Sequence, residues 1–329
     1  MKPFNVKAMS WLSFWYTFIV TVTTLVFLYT LCTNRRMKRQ KPQIRDLQSN
    51  ELTANNTPCE SLGRKLPQCI IIGVQKCGTS ALSDFMAVHP QLIRSVHAEE
   101  HFFDKFLNHN VSLKDEIILK YMPNMPLTCD HEIAFEKTPA YFDGADPRDL
   151  LKMNPALRLI LLICDPVRRA LSAYLHNVNI GKYPPRPYTS FCFTQNGDVN
   201  ETSDIISRGR YDIPLMRYLN IFPRRQLLIL DQVTLEMNPL DIMKRIESFL
   251  QLDEFYDKST FYFNTTVQYF CINPKLKSTN SGCLLTMKYR SHPNLSEKHT
   301  SKLQQYFKPF NYRFMDIAQE EFTSLQYLK

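Results

Sequence analysis

The segment IIIGVQKCGTSAL places two glycines, a lysine and two hydroxyl residues between a predicted strand and a predicted helix. Glycine lets the backbone turn tightly and approach an anion, and the first turn of a helix offers free N–H groups and a positive dipole. Lys76 adds an ammonium group, and Thr79 and Ser80 add hydroxyls. An ordinary strand-to-helix turn also contains such residues, but only 8 of the 329 residues are glycine. We therefore predict a phosphate or sulfate site in this loop.

The loop departs from the phosphate loop of nucleotide kinases, G-x-x-x-x-G-K-[ST]. The spacing of Gly73 and Gly78 fits, but Thr79 stands at the lysine position and the lysine comes three residues earlier. The apolar run ending at Asp165 could imitate the acidic strand that accompanies such a loop. A nucleotide-dependent kinase therefore remains an alternative.

Apolar runs that alternate with helix-like stretches predict the scaffold around this loop. Near-continuous aliphatic strands of this kind indicate a parallel sheet covered by helices on both faces, and ligands of such sheets bind beyond the carboxyl ends of the strands. The sequence thus predicts an α/β fold with a P-loop-like site. The predicted strands are 69–74, 132–136, 157–164 and 227–230, and the predicted helices are 80–88, 147–153, 166–176 and 239–250.

An uncharged apolar segment, residues 11–32, precedes this body. A bilayer core requires roughly 20 apolar residues in a helix, so the segment predicts one transmembrane helix. A cleavable signal peptide is the alternative, but its apolar region usually has about 7–15 residues and a small-residue cleavage site follows it. The predicted organisation is a tail (1–10), a transmembrane anchor (11–32), a stem (33–66) and a catalytic domain (67–329).

Two kinds of evidence on membrane orientation disagree. Lys2 and Lys7 precede the apolar segment whereas six bases follow it closely, which favours a cytosolic body. Nine cysteines and five glycosylation sequons favour a lumenal body, and Cys271 and Cys283 bracket a short polar loop as a local disulfide would. We predict a lumenal body. The sequons begin at Asn55, Asn110, Asn200, Asn264 and Asn294.

The net charge of +9 is concentrated at the amino terminus. Residues 1–45 hold eight Lys or Arg and no acid, while the other 284 residues carry 32 bases against 31 acids. A nearly neutral body does not support a general nucleic-acid-binding surface. No H-E-x-x-H, G-x-S-x-G or C-x-x-C pattern occurs, so no metal is predicted.

The strand, G-x-x-K-x-G-T-[ST] loop and helix resemble the 5′-phosphosulfate loop of sulfotransferases that use 3′-phosphoadenosine 5′-phosphosulfate (PAPS). Over roughly residues 68–315, the ordered motifs resemble the heparan sulfate glucosamine 3-O-sulfotransferases and the sulfotransferase domain of the N-deacetylase/N-sulfotransferases. The resemblance implies a sulfotransferase fold. The further motifs are EEHFFD at 99–104, EKTPAYF at 136–142, NP at 154–155 before LRLILLICDP, R-x-x-L-S-x-Y at 168–174, and K-x-R-x-H-P at 288–293.

The same resemblance implies the catalytic residues. Glu99 matches the general base that takes a proton from the acceptor sugar, and Lys76 matches the lysine that stabilises the leaving phosphate. His101 and Asp104 match residues that position the base and the acceptor. Lys137 matches a lysine near the transferring group.

The implied donor contacts fall in three segments. Ser172 matches a ligand of the donor's 3′-phosphate. The sequence departs from the 3-O pattern at three positions, where Gln75, Ser80 and Cys164 stand in place of basic residues of the family. Arg168 or Arg169 could compensate. The implied donor-binding residues are Lys76, Cys77, Gly78, Thr79, Ser80, Ser172, Lys288, Tyr289 and Arg290.

The resemblance implies a Golgi type II membrane enzyme that sulfates heparan sulfate at the 3-OH of glucosamine without a metal. N-sulfation or sulfation of another glycan position is the alternative within this class, and a catalytically dead glycan-binding homologue is a further one. The candidate bases for pairing with the acidic glycan are Arg208, Arg210, Lys275 and Lys277.

Overall fold

The computed structural model describes residues 59–276 and 296–327. Strands and helices alternate through most of these residues, as the sequence predicts. The strands are β1 Gly63–Arg64, β2 Cys69–Gly73, β3 Leu92–Arg94, β4 Leu127–Thr128, β5 Ile133–Lys137, β6 Arg158–Ile163, β7 Leu227–Asp231, β8 Phe261–Asn264 and β9 Tyr269–Ile272. The helices are α1 Thr79–Met86, α2 Leu113–Glu116, α3 Tyr141–Gly144, α4 Pro147–Met153, α5 Pro166–Asn179, α6 Thr189–Cys192, α7 Asp204–Ser207, α8 Asp212–Leu219, α9 Gln232–Met237, α10 Pro239–Leu250 and α11 Glu297–Ala318.

A five-stranded sheet forms the centre of the described fold, with the strand order β3-β5-β2-β6-β7. All neighbouring strands in it are parallel. The order reverses at β2, because the strands that follow it in the chain lie on both of its sides. Ligand sites of open α/β sheets form at such a reversal, outside the carboxyl ends of the strands.

Both faces of this sheet are buried. In β2, Ile70 and Ile72 pack into one apolar cluster, whereas Ile71 packs into a second cluster on the opposite face. In β6, Leu161 and Leu162 divide in the same way. Successive side chains of a strand point to opposite faces, so the aliphatic runs found in the sequence are the expected pattern for a sheet covered by helices.

Polar side chains fix where several helices begin. Asp146 and Asp165 precede a proline and accept hydrogen bonds from the backbone N–H groups of the first turns of α4 and α5. Asn238 caps α10 in the same way. A proline in the first turn does not cost a hydrogen bond, because the first N–H groups of a helix have no partner within the helix.

The predicted elements are confirmed with small changes at their ends, and α4 and α10 have the predicted limits. Sequence reasoning missed β3, the β8–β9 hairpin and α11. β3 has only three residues, too few to show a periodicity. α11 contains Pro309, and a proline inside a helix is an ordinary signal for its end.

Residues 59–66, assigned to the stem from the sequence, contact the folded body. β1 pairs with β4 in antiparallel orientation, and a disulfide joins Cys59 to Cys129. In the part of the chain that the structure describes, no helix combines the length and apolar character that crossing a bilayer requires. The predicted anchor, residues 11–32, lies outside the described residues, and its placement in the membrane stays a prediction.

Candidate active site

Three segments converge at the carboxyl edge of the sheet. The loop that contains Lys76 follows β2, and Lys137 is the last residue of β5. β2 and β5 are neighbours, with Ile71 opposite Lys137, and the Thr138 N–H donates to the carbonyl oxygen of Ile71 at 3.1 Å. The segment with Glu99 follows β3, the other neighbour of β5. The segments with Lys76, Glu99 and Lys137 are separate in the sequence, but they follow neighbouring parallel strands and therefore lie at the same edge of the sheet.

Both carboxylate oxygens of Glu99 have a nitrogen partner. Lys137 Nζ donates to Oε1 at 2.8 Å, and His101 Nε2 lies 3.2 Å from Oε2. The Lys137 side chain is 6% exposed and that of Glu99 is 35% exposed. Glu99 is thus held by a buried cation while it remains open to an incoming substrate, and the free lone pairs of its oxygens can still accept a hydroxyl proton.

His101 also contacts Asp104, at 3.0 Å from Nδ1 to Oδ2. Its backbone is in the left-handed region, with φ of 54°, at the start of a π-helical turn over Phe102–Phe106. This conformation turns the ring so that its two nitrogens face two carboxylates. The contact with Asp104 fixes the ring orientation, and the ring in turn fixes Glu99.

Buried contacts hold the backbone of this segment in place. The Glu100 N–H donates to Thr138 Oγ1 at 3.0 Å, and the Phe102 N–H donates to the Tyr141 hydroxyl at 3.0 Å. The rings of Phe102 and Phe103 are buried in the core. Glu100 itself is buried and accepts from the His97 N–H. The two adjacent glutamates therefore have different environments, and of the two only Glu99 contacts Lys137 and His101.

A second carboxyl group lies behind this cluster. Glu136 precedes Lys137 and is fully buried. Burial, and next the charge of Glu100, raise the pKa of Glu136 to about 8, against the opposing effect of the hydroxyls of Tyr121 and Tyr141. Sequence reasoning did not single out Glu136. The sequence feature that could have indicated Glu136 is its place in β5, one residue before Lys137. Successive side chains of a strand point to opposite faces of the sheet, and that of Glu136 is buried in the core.

The predicted donor loop has the backbone that its glycines suggested. Gly78 has φ of 92° and precedes α1, while Lys76 is exposed and also has a positive φ, 75°. A Cβ at Gly73 would lie 2.7 Å from Cβ of Phe142, which is too close for two carbon atoms, so this backbone position requires glycine. The first N–H groups of α1 have no acceptor within the helix. The loop can therefore accept an anion.

The two cysteines nearest to this loop form a disulfide that sequence reasoning left open. Cys77, in the loop, is bonded to Cys164, which follows β6, and both residues are buried. The hydroxyl of Tyr211 donates to the Cys164 carbonyl at 3.2 Å and lies 3.8 Å from Cys77 Sγ. Two atoms through which Cys77 could contact the donor already have partners. Its sulfur is in the disulfide, and its N–H donates to the carbonyl oxygen of Val74.

Arg208, predicted from the sequence as a base for the glycan, contacts the loop that contains Lys76, and its role toward the glycan stays a prediction. Its Nη1 donates to Gln75 Oε1 at 2.6 Å, and its Nε lies 3.0 Å from Asp143 Oδ2. Burial raises the pKa of Asp143, and the nearby Arg208 opposes that rise. A cation thus reaches the loop from a segment that follows α7, beside the position of Gln75.

The other predicted bases divide into buried, stacked and exposed groups. Arg169 is buried and donates to the Ile205 carbonyl, so it supports the fold and does not replace a donor contact, whereas Arg168 is exposed. Arg210 lies over the ring of Phe310 at 5.5 Å. Lys275 is exposed. Ser172 is half-buried in α5.

Several predictions fall on residues that are not described. These are the donor contacts Lys288, Tyr289 and Arg290, the glycan base Lys277, the sequons at Asn55 and Asn294, and Cys283. Cys271 is disulfide-bonded. Because Cys283 is not described, the pairing of the two cysteines remains a prediction. Of the other sequons, Asn110 is exposed, while Asn200 and Asn264 are half-buried.

The described site combines the loop predicted to bind an anion, a buried lysine and a partly exposed carboxylate at one sheet edge. Comparison with known proteins identifies the family to which the chain belongs. Residues 66–323 match the family described as "Sulfotransferase domain". A solved sulfotransferase from Alicyclobacillus acidocaldarius has a similar fold, with a TM-score of 0.54 at 18% identity, over 78% of this chain and 97% of that one.

Curated relatives give the finer grouping. The chain is 34% identical to heparan sulfate glucosamine 3-O-sulfotransferase 3B1 of Homo sapiens, over 84% of this chain and 70% of the relative. It is 32% identical to heparan sulfate glucosamine 3-O-sulfotransferase 6 of Homo sapiens, over 79% of this chain and 74% of the relative. The chain therefore belongs to the heparan sulfate glucosamine 3-O-sulfotransferase family of sulfotransferases.

Proposed function

We propose that this protein transfers a sulfuryl group from PAPS to heparan sulfate, at the 3-OH of a glucosamine residue. The observation that carries the proposal is the Glu99 carboxylate, held between Lys137 and His101 at the sheet edge where the proposed anion-binding loop begins. A proton acceptor, a buried cation and an anion site are the three parts that transfer of a sulfuryl group to a hydroxyl requires.

The proposed reaction is an in-line displacement. The acceptor oxygen forms a bond to sulfur while the bond between sulfur and the bridging phosphate oxygen breaks, and adenosine 3′,5′-bisphosphate leaves. Glu99 takes the proton of the acceptor hydroxyl. Charge spreads over the oxygens of the transferring group, as in phosphoryl transfer, so the protein contributes mainly by positioning and by electrostatic stabilisation.

The two lysines have different proposed tasks. Lys76, in the loop, neutralises the charge that develops on the departing phosphate. Lys137 orients Glu99 through their 2.8 Å contact and stands near the transferring group. His101 and Asp104 act through Glu99, because the ring of His101 contacts both carboxylates. They are positioning residues.

The described residues are suited to an anionic nucleotide donor. The N–H groups at the start of α1 and the hydroxyls of Thr79 and Ser80 are the proposed contacts of the 5′-phosphosulfate. Ser172 and the exposed Arg168, both in α5, would serve the 3′-phosphate. Lys288, Tyr289 and Arg290 are the proposed remaining contacts.

Cysteine chemistry supports a secretory location. Two disulfides join described cysteines, and Cys271 is also disulfide-bonded. Disulfides persist in the oxidising compartments of the secretory pathway and are rare in the cytosol. We therefore propose a Golgi enzyme with a lumenal catalytic domain, anchored as a type II membrane protein through residues 11–32 and glycosylated at its sequons.

The decisive experiment incubates the full-length protein with radiolabelled PAPS and heparan sulfate, followed by disaccharide analysis of the labelled product. We expect label at the glucosamine 3-O position. Label on nitrogen or on another oxygen would replace the proposed position, and binding of heparan sulfate without any transfer would indicate a glycan-binding homologue.

Matched variants test the assigned roles in the same assay. Glu99→Gln keeps the size of the side chain and removes the base, and Lys76→Ala removes the ammonium. We expect each to lower kcat by roughly 10²–10³-fold. The controls are Glu254→Gln and Lys258→Ala at exposed positions. Parental rates in either active-site variant would overturn its assigned role.

A further inference from the structure

Lys76 has a backbone conformation that requires support from its surroundings. Its φ of 75° lies in the left-handed region, which residues with a Cβ seldom adopt. Such conformations persist only where neighbouring contacts fix them. The residues before and after Lys76 in the chain both have a partner outside the loop. Gln75 accepts a hydrogen bond from Arg208, and Cys77 forms a disulfide with Cys164.

The attachment through Cys77 is covalent and buried. Cys77 and Cys164 are 0% and 1% exposed. The loop is also joined to β6 by the hydrogen bond from the Val74 N–H to the Leu162 carbonyl, 2.9 Å long. The loop is thus tied to the end of β6 at two points, one before Lys76 and one directly after it.

The cysteine pair lies where the sheet order reverses. β2 and β6 are parallel neighbours, so the loop after β2 and Cys164 after β6 reach the same edge. A loop fixed before its ligand arrives loses less conformational freedom on binding, which raises affinity without a new contact. The disulfide supplies this fixation beside the lysine that the proposed reaction uses.

We propose that the Cys77–Cys164 disulfide is a positioning element of the donor site, which holds Lys76 in the orientation needed to meet the transferring group. This inference rests on the proposed function, because it takes Lys76 as the group that stabilises the leaving phosphate. Without the bond, the loop can leave the end of β6 and the ammonium loses its fixed position. Donor affinity and transfer rate then fall together, whereas the acceptor KM does not change.

The test compares two disulfide deletions in the full-length protein. Cys77→Ala/Cys164→Ala removes the proposed positioning element, and Cys59→Ala/Cys129→Ala removes a disulfide on the amino-terminal side of β5, away from the donor edge. We expect the first variant to lose at least about tenfold in kcat/KM for PAPS, on the scale that a small misplacement costs. The second should stay within about twofold of the parent, as for a change remote from the site.

A double-mutant cycle separates positioning from general loss of structure. If the disulfide acts through Lys76, deleting it in a Lys76→Ala protein lowers kcat much less than in the parent protein, because the group it positions is already gone. Multiplicative effects of the two changes would overturn the proposal. So would equal behaviour of the two disulfide deletions.

Two further measurements cover the remaining outcomes. If the Cys77→Ala/Cys164→Ala protein does not fold, Tyr211→Phe keeps the disulfide and removes the hydroxyl that contacts both of its halves, and a smaller loss in the same direction is expected. Alkylation of the parent, unfolded in denaturant without reductant so that buried thiols are accessible, must leave Cys77 and Cys164 unlabelled in the peptide map, and label on either would contradict the proposal. A parent that neither binds adenosine 3′,5′-bisphosphate nor transfers sulfate refutes the proposed function, and this inference with it. A parent that does both, with unaffected disulfide variants, refutes this inference alone.

Discussion

Lys137 and Glu99 form a 2.8 Å ion pair in which the lysine is almost fully buried and the glutamate is about one-third exposed. The ammonium is already out of contact with water, so moving away from Glu99 would leave a buried charge unpaired, and the pair therefore fixes one oxygen of the carboxylate. The other oxygen faces His101. The orientation of the proposed base is therefore set by the fold before any substrate binds.

Replacing Lys137 should affect the chemical step more than donor binding. Lys137→Met keeps the length of the side chain and removes the charge, so we expect kcat to fall roughly 10²–10³-fold. Affinity for adenosine 3′,5′-bisphosphate, measured by calorimetry, should change little, because that product lacks the sulfuryl group. Lys258→Met, at an exposed position, serves as the control, and an equal effect of both substitutions would contradict the assignment.

His101 and Asp104 should behave as one unit. Both act through the orientation of Glu99, so His101→Ala and Asp104→Asn should each lower kcat, by up to roughly 10²-fold for a misplaced base. The double variant should be little worse than His101→Ala alone, since coupled residues are not additive. Steady-state kinetics of the four proteins provides the comparison. Independent, multiplicative losses would show that Asp104 has a separate task.

Glu136 should make stability depend on pH. Its folded-state pKa is raised to about 8, above the ordinary value of a glutamate, so the folded protein holds a proton that the unfolded chain releases. The free energy of unfolding should therefore fall as pH rises from the ordinary pKa of glutamate to about 8, by at most about 1.4 kcal/mol per pH unit.

Denaturant titrations of the parent and of Glu136→Gln test this dependence. The amide has nearly the same shape and does not titrate, so the variant should gain stability relative to the parent between about pH 5.5 and pH 7.5. A difference between the two proteins that is constant with pH would show that Glu136 is not held protonated in the folded state.

Arg208 and Asp143 should contribute to donor binding through Gln75. Arg208→Met removes the hydrogen bond to Gln75 and the ion pair with Asp143, so we expect the KM for PAPS to rise by about tenfold, which is the lower end of what one hydrogen bond to a charged group contributes. Asp143→Asn should have a smaller effect in the same direction. The alternative is that Arg208 binds the glycan. In that case Arg208→Met would raise the KM for heparan sulfate and not the KM for PAPS.

The ion pair between Arg313 and Asp212 should affect stability and not catalysis. Asp212 is fully buried, and Arg313 joins α11 to α8 through it. Arg313→Met leaves a buried carboxylate without its cation, and we expect a loss of about 1–3 kcal/mol, because the guanidinium is half exposed and water can partly replace it. Thermal and denaturant unfolding measure the loss, with Arg225→Met at an exposed position as the control. Unchanged stability would show that another group compensates Asp212.

The sequence predicted β2, α1 and β5, which carry the loop and Lys137, because their signals are local, whereas it missed β3, the short strand before Glu99. Aliphatic runs such as the one in β6 report burial on both faces of a sheet, and Asp-Pro pairs report helix starts. The ordered motifs predicted the family, which the comparisons confirm. The roles of Lys76 and Glu99 came from the same motifs and remain proposals that the variants above test.

The partners of these residues were decided only by the tertiary structure. Cys77 and Cys164 are 87 positions apart, and nothing in the sequence between them indicates that β2 and β6 are neighbours. The sequence indicated Arg208 as a candidate base for the glycan, but only the fold shows that it contacts Gln75 and Asp143. Local patterns determine which segments form strands and helices, whereas the order of strands in the sheet depends on packing between distant segments. That order alone determines which side chains meet at its carboxyl edge.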